Sequence, residues 1–214
     1  MIYNTIHQSW SSKILPVKYL KIKLKNKQIL SNWNFKLWTD DDNDLFIEKK
    51  FPSFLNIYKN YKHKIHKIDA IRYFYLYEYG GLYMDLDITL NKNITNLLKL
   101  DKCCLFSQKA INDYFYTNGY EEYIDPMIMY SPPKHKFIKS IIDKLHSNGV
   151  VENIFDNVYD NMKVAGPAFL TDFFNKKNND SLIIKNKIIT EKNKEHYKKY
   201  YGIHLCDNNW LKYE

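Results

Sequence analysis

The segment from Tyr79 to Asp87 constrains the fold of this chain more than any other. Its sequence, YGGLYMDLD, joins a double glycine to three apolar residues and then to two carboxylates separated by one residue. Three apolar residues of strand character suit the centre of a sheet, and ligands of α/β sheets bind beyond the carboxyl ends of the strands. Asp85 and Asp87 can share a divalent cation there and hold it against a phosphate. The pattern predicts metal-dependent transfer chemistry on a nucleotide-linked substrate.

Strand and helix patterns alternate along the chain without an internal repeat or a linker, which predicts one α/β domain over residues 1–214. The predicted strands are Ile2–Ile6, Phe35–Trp38, Leu82–Asp85, Ile88–Leu90, Cys103–Ser107 and Pro126–Tyr130. The predicted helices are Lys18–Ile29, Asn43–Phe51, Lys64–Tyr79, Lys134–His146, a helical region in Val150–Met162, and Gly166–Phe174. Asn175–Asp180 is predicted to be a loop, and Ile183–Glu214 to mix short strands with an aromatic end.

Asp69 and Arg72 lie three residues apart on the predicted helix Lys64–Tyr79, so both project from one face. An arginine offers paired donors to phosphate or to sugar hydroxyls, and an aspartate can accept a hydrogen bond from a sugar hydroxyl. An ordinary ion pair on a helix surface explains the same spacing. Because the double glycine brings the chain back toward Asp85 and Asp87, we favour a role in the site.

Two other acidic clusters are assigned to structure rather than to chemistry. Asp40–Asp42 follow a predicted strand, and we interpret them as the cap and first turn of the next helix. Glu121, Glu122 and Asp125 could supply a general base to an inverting reaction. We interpret these three as charges of a surface loop.

Cysteine usage and hydropathy bound the expected compartment. Cys103, Cys104 and Cys206 form neither a disulfide framework nor a Cys-x-x-Cys zinc spacing, which favours a reducing compartment. No apolar run approaches the roughly 20 residues that cross a bilayer, and residues 1–7 lack the features of a signal peptide. We therefore expect a cytoplasmic protein, with peripheral membrane contact left open.

The net charge of +8 is interpreted as a solvated surface, because the lysines are spread over most of the chain. Attraction to anionic substrates or to a membrane face is the alternative. Nucleic acid is not expected as a partner, since no recognition motif or basic stripe is evident. The basic stretch Lys134–Lys144 could touch a membrane, but an amphipathic helix that covers the sheet is the preferred interpretation.

Four motifs in order resemble the DXD-containing sugar transferases of the glycosyltransferase family 32 type. These motifs are Ile6–Trp10, Trp38, Asp69–Tyr73 and Tyr79–Asp87. Similar enzymes are the initiating α-1,6-mannosyltransferases, α-1,4-galactosyltransferases and clostridial glucosylating toxins. The resemblance covers residues 1–90 and recurs weakly at Gly166–Pro167 and at His204 with Trp210. It implies a GT-A type nucleotide-diphospho-sugar transferase fold, α/β, with a single mixed central sheet flanked by helices.

The resemblance also implies a metal site, occupied by Mn²⁺ with Mg²⁺ as a possible substitute. It implies that Asp87 binds the metal directly and takes part in catalysis. Asp85 would contact both the ribose and the metal, and His204 would supply a further ligand.

A donor site is implied in the same way. Asp69 and Arg72 would hold the donor sugar as catalytic residues. Tyr83 would lie beside the nucleotide, Trp10 would stack near the base, and Trp210 would close over the diphosphate.

We therefore expect a metal-dependent hexosyltransferase that uses a nucleotide-diphosphate sugar and an acceptor hydroxyl, with retention of configuration. A UDP-hexose is favoured by the toxin-like spacing, and a GDP-mannose-dependent mannosyltransferase is the alternative. A glycan, a glycolipid or a protein could serve as acceptor. A phosphatase of the haloacid-dehalogenase type is a third option, because Asp85–Thr89 satisfies its signature. That motif normally follows the first strand, which weighs against it here.

Overall fold

The computed structural model describes residues 3–110, 115–116, 118–150, 158–176, 181–185, 187–190 and 197–207. The strands are β1 (Thr5–Ser9), β2 (Asn34–Trp38), β3 (Gly81–Met84), β4 (Ile88–Leu90), β5 (Cys104–Lys109), β6 (Glu122–Ser131), β7 (Leu182–Lys185), β8 (Ile188–Thr190) and β9 (Gly202–His204). The α-helices are α1 (Val17–Ile29), α2 (Asp40–Lys50), α3 (Leu55–Lys59), α4 (Lys64–Tyr79), α5 (Lys136–Asn148), α6 (Val158–Asn161) and α7 (Pro167–Lys176). Short 3₁₀ helices are Pro52–Phe54, Thr95–Leu97 and Tyr197–Lys199.

The strands form a six-stranded sheet in the order β2-β1-β3-β6-β5-β7 and a three-stranded sheet in the order β4-β9-β8. Strand β1 runs parallel to β2 and β3, whereas β6 runs antiparallel to β3 and β5. The predicted α/β class with a mixed central sheet flanked by helices is confirmed. The small second sheet was not predicted, because its strands are short and far apart in sequence.

The first strand lies at Thr5–Ser9 rather than at the predicted Ile2–Ile6. It pairs along its whole length with β2, and this pairing buries His7 and Gln8 to 1% exposure each. Two polar residues inside a strand interrupt the apolar pattern on which the prediction rested. The strand is therefore displaced toward the carboxyl side of the apolar residues.

Strand β6 is longer than the predicted Pro126–Tyr130 and bulges in its middle. Asp125 and Met129 pair with adjacent residues of β5, so the residues between them form the bulge, which accommodates Pro126. Glu122 and Asp125 are consequently strand residues. Their interpretation as charges of a surface loop is wrong.

The acidic cluster after β2 has the structural role predicted for it. Helix α2 begins at Asp40, and the Thr39 hydroxyl accepts from the Asp42 N–H while the Asp42 carboxylate accepts from the Thr39 N–H. This capping box satisfies two backbone donors at the helix start.

Two predicted segments lie partly outside the described residues. Of the helical region Val150–Met162, the helix α6 is described and residues 151–157 are not. The predicted loop Asn175–Asp180 begins inside α7, and residues 177–180 are not described.

The double glycine sets the angle between α4 and β3. Gly80 and Gly81 have φ values of 66° and 97°, which side chains with a Cβ rarely adopt. A Cβ on Gly81 would lie 2.4 Å from the Thr5 carbonyl oxygen, and one on Gly80 would lie 2.6 Å from Pro133. Only glycine allows the helix to pass directly into a strand here, and this connection brings one face of α4 to the carboxyl edge of β3.

His7 ties this turn to the sheet. The Trp38 indole N–H donates to His7 Nδ1 at 3.1 Å, and His7 Nε2 donates to the Gly80 carbonyl at 2.9 Å. The imidazole also stacks on Tyr75 with ring centroids 5.5 Å apart. Burial lowers the pKa of His7 to about 4. The ring is therefore neutral, and its role is to hold β1, β2 and the turn together.

Apolar cores lie on both faces of the large sheet. Cys103 belongs to the core beneath α4, α5 and α7, and Cys104 to the core that includes β4. The three cysteines are free thiols. In the described part of the chain, none of the helices has the length and apolarity needed to span a bilayer.

Candidate active site

A cavity of about 260 Å³ lies at the carboxyl ends of β1 and β3. Its lining comes from the end of β1, one face of α4, the segment after β3, and the segment after β9. Charged and polar residues that line it include Ser9, Asp69, Arg72, Tyr83, Asp85, Asp87, Asp125, His204 and Asp207. The structure thus brings the predicted acidic pair, the helical Asp and Arg, and the predicted histidine into one space.

One side of the cavity, which we call the α4 wall, consists of Asp69, Arg72 and Tyr83. The Arg72 guanidinium donates to the Asp69 carboxylate and to the Pro126 carbonyl at 2.9 Å. It also lies 4.8 Å from the centroid of the Tyr83 ring. Asp69 and Arg72 are only 6% and 4% exposed. Burial raises the pKa of Asp69, and Arg72 opposes this rise. The α4 wall is therefore held in place by the protein itself.

The second carboxylate oxygen of Asp69 faces the backbone of Gly166. A Cβ on Gly166 would lie 2.7 Å from Asp69 Oδ2, so only glycine leaves this oxygen unobstructed. Among the residues that the structure describes, none donates a hydrogen bond to Oδ2. Asp69 therefore keeps one acceptor oxygen for a ligand.

Asp85 follows β3 directly and joins the α4 wall to the rest of the site. The Tyr83 hydroxyl donates to Asp85 Oδ1 at 2.6 Å, and the Asp85 backbone N–H donates to the Met127 carbonyl at 2.8 Å. Burial raises the pKa of Asp85 to about 6, with Arg72 opposing the rise and the Asp87 carboxylate adding to it. A bound cation would favour the ionised form of this carboxyl group.

A second side of the cavity, which we call the C-terminal wall, consists of Asp87, His204 and Asp207. Strand β4 pairs with β9 so that Ile88 lies opposite His204, which places His204 Nε2 3.3 Å from Asp87 Oδ1. The Asp207 backbone N–H donates to Asp87 Oδ2 at 3.0 Å. Pairing of the two short strands thus assembles this wall.

The charges of the C-terminal wall depend on one another. Burial by itself would raise the pKa of Asp87, but the His204 imidazolium and the Asp207 N–H lower it below the ordinary value. Burial by itself would lower the pKa of His204, but the Asp87 carboxylate raises it well above 6.5. In the metal-free protein at neutral pH the two side chains form an ion pair. A cation that binds His204 must displace its proton.

Asp85, Asp87 and His204 fit a divalent cation. Each offers one ligand atom, and these atoms all lie within 4.8 Å of one another. Around an ion with bonds of about 2.1 Å, neighbouring ligand atoms are about 3–4 Å apart, so small side-chain movements suffice. Two carboxylates and an imidazole suit Mn²⁺.

Trp10 and Tyr19 line the cavity near the C-terminal wall. Their rings pack edge to face, with centroids 5.2 Å apart. Lys18 and the Tyr19 hydroxyl both bind the Asp207 carboxylate, at 2.6 and 2.9 Å. Helix α1 is thereby tied to the C-terminal wall. Stacking of Trp10 on a base stays a prediction, and Trp210 lies outside the described residues.

Two further carboxylates line the cavity: Asp125, which the sequence offered as a candidate base but which we assigned to a surface loop, and Asp207, which was not predicted. The Asp125 carboxylate accepts from Gln108 Nε2 at 2.6 Å and lies 4.0 Å from His204 Nδ1. The β6 bulge brings it to the cavity, and the adjacent proline was the only signal of that bulge. For Asp207, the signal was its nearness in sequence to His204.

The mixed sheet with its Asp-x-Asp site defines the class as GT-A type glycosyltransferases. The PaToxG glycosyltransferase superposes on this chain with a TM-score of 0.57 at 16% identity, over 81% of this chain and 69% of that one. A family model described as "Glycosyltransferase sugar-binding region containing DXD motif" matches residues 8–104. Residues 8–104 therefore belong to this family of DXD-containing glycosyltransferases.

Relatives with similar sequences include fungal and viral proteins. Mannosyl phosphorylinositol ceramide synthase CSH1 of Saccharomyces cerevisiae is 32% identical over 68% of this chain and 35% of its own length. Inositol phosphoceramide mannosyltransferase 1 of Schizosaccharomyces pombe is 31% identical over 79% of this chain and 50% of its length. An uncharacterized glycosyltransferase of Acanthamoeba polyphaga mimivirus is 32% identical over 56% and 49%. The chain spans half or less of the length of these relatives.

Proposed function

We propose that this chain transfers mannose from GDP-mannose to a hydroxyl of an inositol-bearing sphingolipid. The observation that carries the proposal is the presence of two groups in one cavity. One is the cation group Asp85, Asp87 and His204, with ligand atoms within 4.8 Å, and the other is the buried Asp69–Arg72 pair. Transfer from a nucleotide sugar needs a cation for the diphosphate and hydrogen-bonding groups for the sugar in the same place.

The choice of mannose follows the relatives rather than the motif spacing. The spacing favoured a UDP-hexose, whereas two relatives are named for mannosyl transfer involving inositol phosphoceramide and match 68% and 79% of this chain. These names support the GDP-mannose alternative over the UDP-hexose expectation. The glycosyltransferase family match likewise supports sugar transfer over the phosphatase alternative.

In the proposed reaction, Asp69 binds the donor sugar. Its Oδ1 accepts from Arg72, and its Oδ2, beside Gly166, is free to accept from a sugar hydroxyl. The Pro126 carbonyl and the Tyr83 ring fix the guanidinium, so Arg72 in turn fixes the orientation of Asp69. A carboxylate positioned before the substrate arrives loses little entropy on binding.

Asp85, Asp87 and His204 hold the cation in this proposal. A divalent cation there neutralises the negative charge that builds on the departing diphosphate. Tyr83 orients Asp85 through its hydroxyl, and the Asp207 N–H orients Asp87. These outer contacts aim the carboxylates before any ligand binds.

With retention of configuration, the acceptor oxygen bonds to the anomeric carbon as the sugar–phosphate bond breaks. The acceptor proton passes to the departing phosphate oxygen, so no protein carboxylate is required. An inverting transfer would need a base, and of the three candidates Glu121, Glu122 and Asp125, Asp125 is the one that lines the cavity. The anomeric configuration of the product, read by NMR, distinguishes the two routes.

The test is a donor panel of GDP-mannose, UDP-glucose and UDP-galactose, each with Mn²⁺ or with EDTA. We expect release of GDP from GDP-mannose alone, abolished by EDTA and reduced at least about 100-fold in Asp87→Asn. Leu45→Gln, at an exposed position of α2, is the matched control and should keep full activity. Vesicles that contain inositol phosphoceramide should raise turnover and yield a mannosylated lipid detected by mass spectrometry.

Two outcomes would contradict the proposal. Metal-dependent turnover of a UDP-hexose without turnover of GDP-mannose would restore the donor that the spacing favoured. Phosphate release from simple esters in the absence of any sugar donor would instead favour the phosphatase.

A further inference from the structure

Helix α1 is firmly anchored on one face. The Asn26 side chain is fully buried and donates to the Ile88 carbonyl at 2.7 Å, while its Oδ1 accepts from the Leu90 N–H at 2.9 Å. Tyr19, which lies on the same face of the helix as Asn26, is also buried. Two hydrogen bonds to β4 therefore fix which side of α1 faces away from the protein.

The outward side of α1 is apolar along its centre. Val17, Leu20 and Leu24 are 67%, 45% and 53% exposed, and the preceding Ile14 is 84% exposed. The helical three follow the i, i+3, i+7 spacing of a single stripe. We call these four residues the α1 stripe. Helix α1 thus packs on the protein with the face that contains Tyr19, and the α1 stripe on the opposite face is left exposed.

Lysines flank the α1 stripe on both sides. With about 100° of rotation per residue, Lys18, Lys21 and Lys25 follow one edge of the stripe, and Lys23 and Lys27 follow the other. The first 39 residues of the chain contain seven lysines and no acidic residue. Residues 1–39 therefore carry a net charge of +7, whereas the whole chain carries +8.

Helix α5, the basic helix that sequence reasoning weighed as a membrane contact, is different. Its apolar residues are buried in the core shared with α4 and α7: Phe137, Ile138, Ile141, Ile142 and Leu145. Its lysines thus surround no exposed apolar surface. An apolar stripe between rows of lysines is the pattern of a helix that lies in a lipid interface, and of these two helices α1 alone has it.

Helix α1 borders the cavity with the face opposite the α1 stripe. Tyr19 of the same helix lines the cavity, and Lys18 and Tyr19 both bind Asp207 of the C-terminal wall. Trp10, which also lines the cavity, precedes Ile14 by four residues. A surface that contacts the α1 stripe would therefore lie about one helix diameter, roughly 10 Å, from the part of the cavity that Tyr19 lines.

We propose that the α1 stripe docks on an anionic lipid bilayer. Its apolar side chains enter the interface, and the flanking lysines approach acidic head groups, whose charge is complementary. Docking requires neither the donor nor the acceptor proposed above. It would present the cavity to a lipid acceptor at the bilayer surface.

The experiment is co-sedimentation of the protein with vesicles of phosphatidylcholine, alone or mixed with phosphatidylinositol. We expect the mixed vesicles to bind at least about tenfold more tightly than the neutral ones, with a loss of binding in high salt. Val17→Gln, Leu20→Gln and Leu24→Gln combined should weaken binding at least about tenfold. Lys21→Glu with Lys27→Glu should do the same.

Matched controls lie elsewhere on the surface. Lys136→Glu with Lys144→Glu makes the same charge change on α5, and Leu45→Gln removes one exposed apolar residue from α2. Both should bind vesicles like the unmodified protein. Thermal melts check folding, and hydrolysis of the donor without vesicles should be unchanged in every variant, which separates docking from the proposed reaction.

Three results would overturn the proposal. The folded protein could fail to bind the mixed vesicles, or the stripe variant could bind them as tightly as the unmodified protein. The stripe variant could also convert a dimer into a monomer in light scattering without any vesicle binding, which would make a second copy of the chain the partner of the stripe.

Discussion

The α4 wall and the C-terminal wall meet at Asp85 but are built in different ways. The α4 wall comes from one helix and one strand joined by the double glycine, and its two charges are buried against each other. The C-terminal wall joins Asp87 to a residue 120 positions away. It is held by the His204 contact and by backbone N–H groups that β9 brings into place.

Because of this difference, we expect the α4 wall to affect mainly the stability of the fold and the C-terminal wall to affect mainly metal binding. The charges of the α4 wall are costly if either partner is lost, because both side chains are almost fully buried. The charges of the C-terminal wall can change protonation or exchange partners when a cation binds. Substitutions in the α4 wall should therefore lower the free energy of unfolding, and those in the C-terminal wall should mainly change the response to Mn²⁺.

The largest effect is expected from Asp69→Ala, which leaves the Arg72 guanidinium buried without its carboxylate. We expect a loss of about 3–5 kcal/mol in the free energy of unfolding, measured by urea denaturation in EDTA. Asp87→Ala is the control in the other wall and should cost about 1 kcal/mol, because His204 can become neutral. Equal losses in the two variants would remove the distinction between the walls. Combining Asp69→Ala with Arg72→Met should recover part of the loss.

The next effect concerns the metal. Saturating Mn²⁺ at 100 times its dissociation constant should stabilise the unmodified protein by about 2.7 kcal/mol, and EDTA should reverse this. Asp87→Asn should abolish the gain while leaving the metal-free melting temperature nearly unchanged, because the amide keeps an acceptor for the Asp207 N–H. Thermal melts with and without Mn²⁺ measure both quantities. A full Mn²⁺ response in this variant would exclude Asp87 as a ligand.

A third effect follows from the pKa of Asp85, which burial raises from 3.8 to about 6. The native state then binds this proton more tightly than the unfolded state, so stability falls as the pH rises from about 4 to above 6. Asp85→Asn removes this decline. At about pH 8 in EDTA the variant should be more stable than the unmodified protein by up to about 3 kcal/mol. At about pH 4 the two should be alike, and a variant less stable at both pH values would contradict the assignment.

The smallest effect is expected from Gly166→Ala. The new Cβ would lie 2.7 Å from Asp69 Oδ2 and 3.1 Å from the Met162 Cα, so the α4 wall or the backbone must shift. We expect a stability loss of about 1–2 kcal/mol together with weaker donor binding. Asn175→Ala, at the exposed end of α7, should change neither quantity. Donor affinity equal to that of the unmodified protein would show that Asp69 Oδ2 does not contact the sugar.

The α4 wall could be predicted from the sequence because the segments that position its residues are adjacent in the chain. The 3.6-residue periodicity predicted helix α4, and the spacing of Asp69 and Arg72 predicted that both lie on one face of it. The double glycine predicted the turn that follows the helix. The carboxylates after β3 followed from the same segment. Nothing distant was needed to predict how these groups lie.

The C-terminal wall and Asp125 depend on pairings that the pattern of residues does not reveal. His204 entered the prediction only through family resemblance, since the three-residue strands β4 and β9 carry little periodic signal. Asp125 faces the cavity because β6 bulges opposite β5. The displaced first strand has the same origin, because its buried His7 is hydrogen-bonded to Trp38 and Gly80, which are remote in sequence.

The position of strand β9 near the end of the described chain means that the two walls of the cavity are not completed at the same time during synthesis. By the time a ribosome has released β6, the chain contains every residue of the α4 wall. The cation group is complete only once residue 204 has emerged and β9 has paired with β4 and β8. A translation product that stops earlier contains Asp69 and Arg72 but lacks His204. If the proposed function holds, a chain that ends before residue 204 should show no metal-dependent hydrolysis of GDP-mannose, because it lacks one of the three proposed cation ligands.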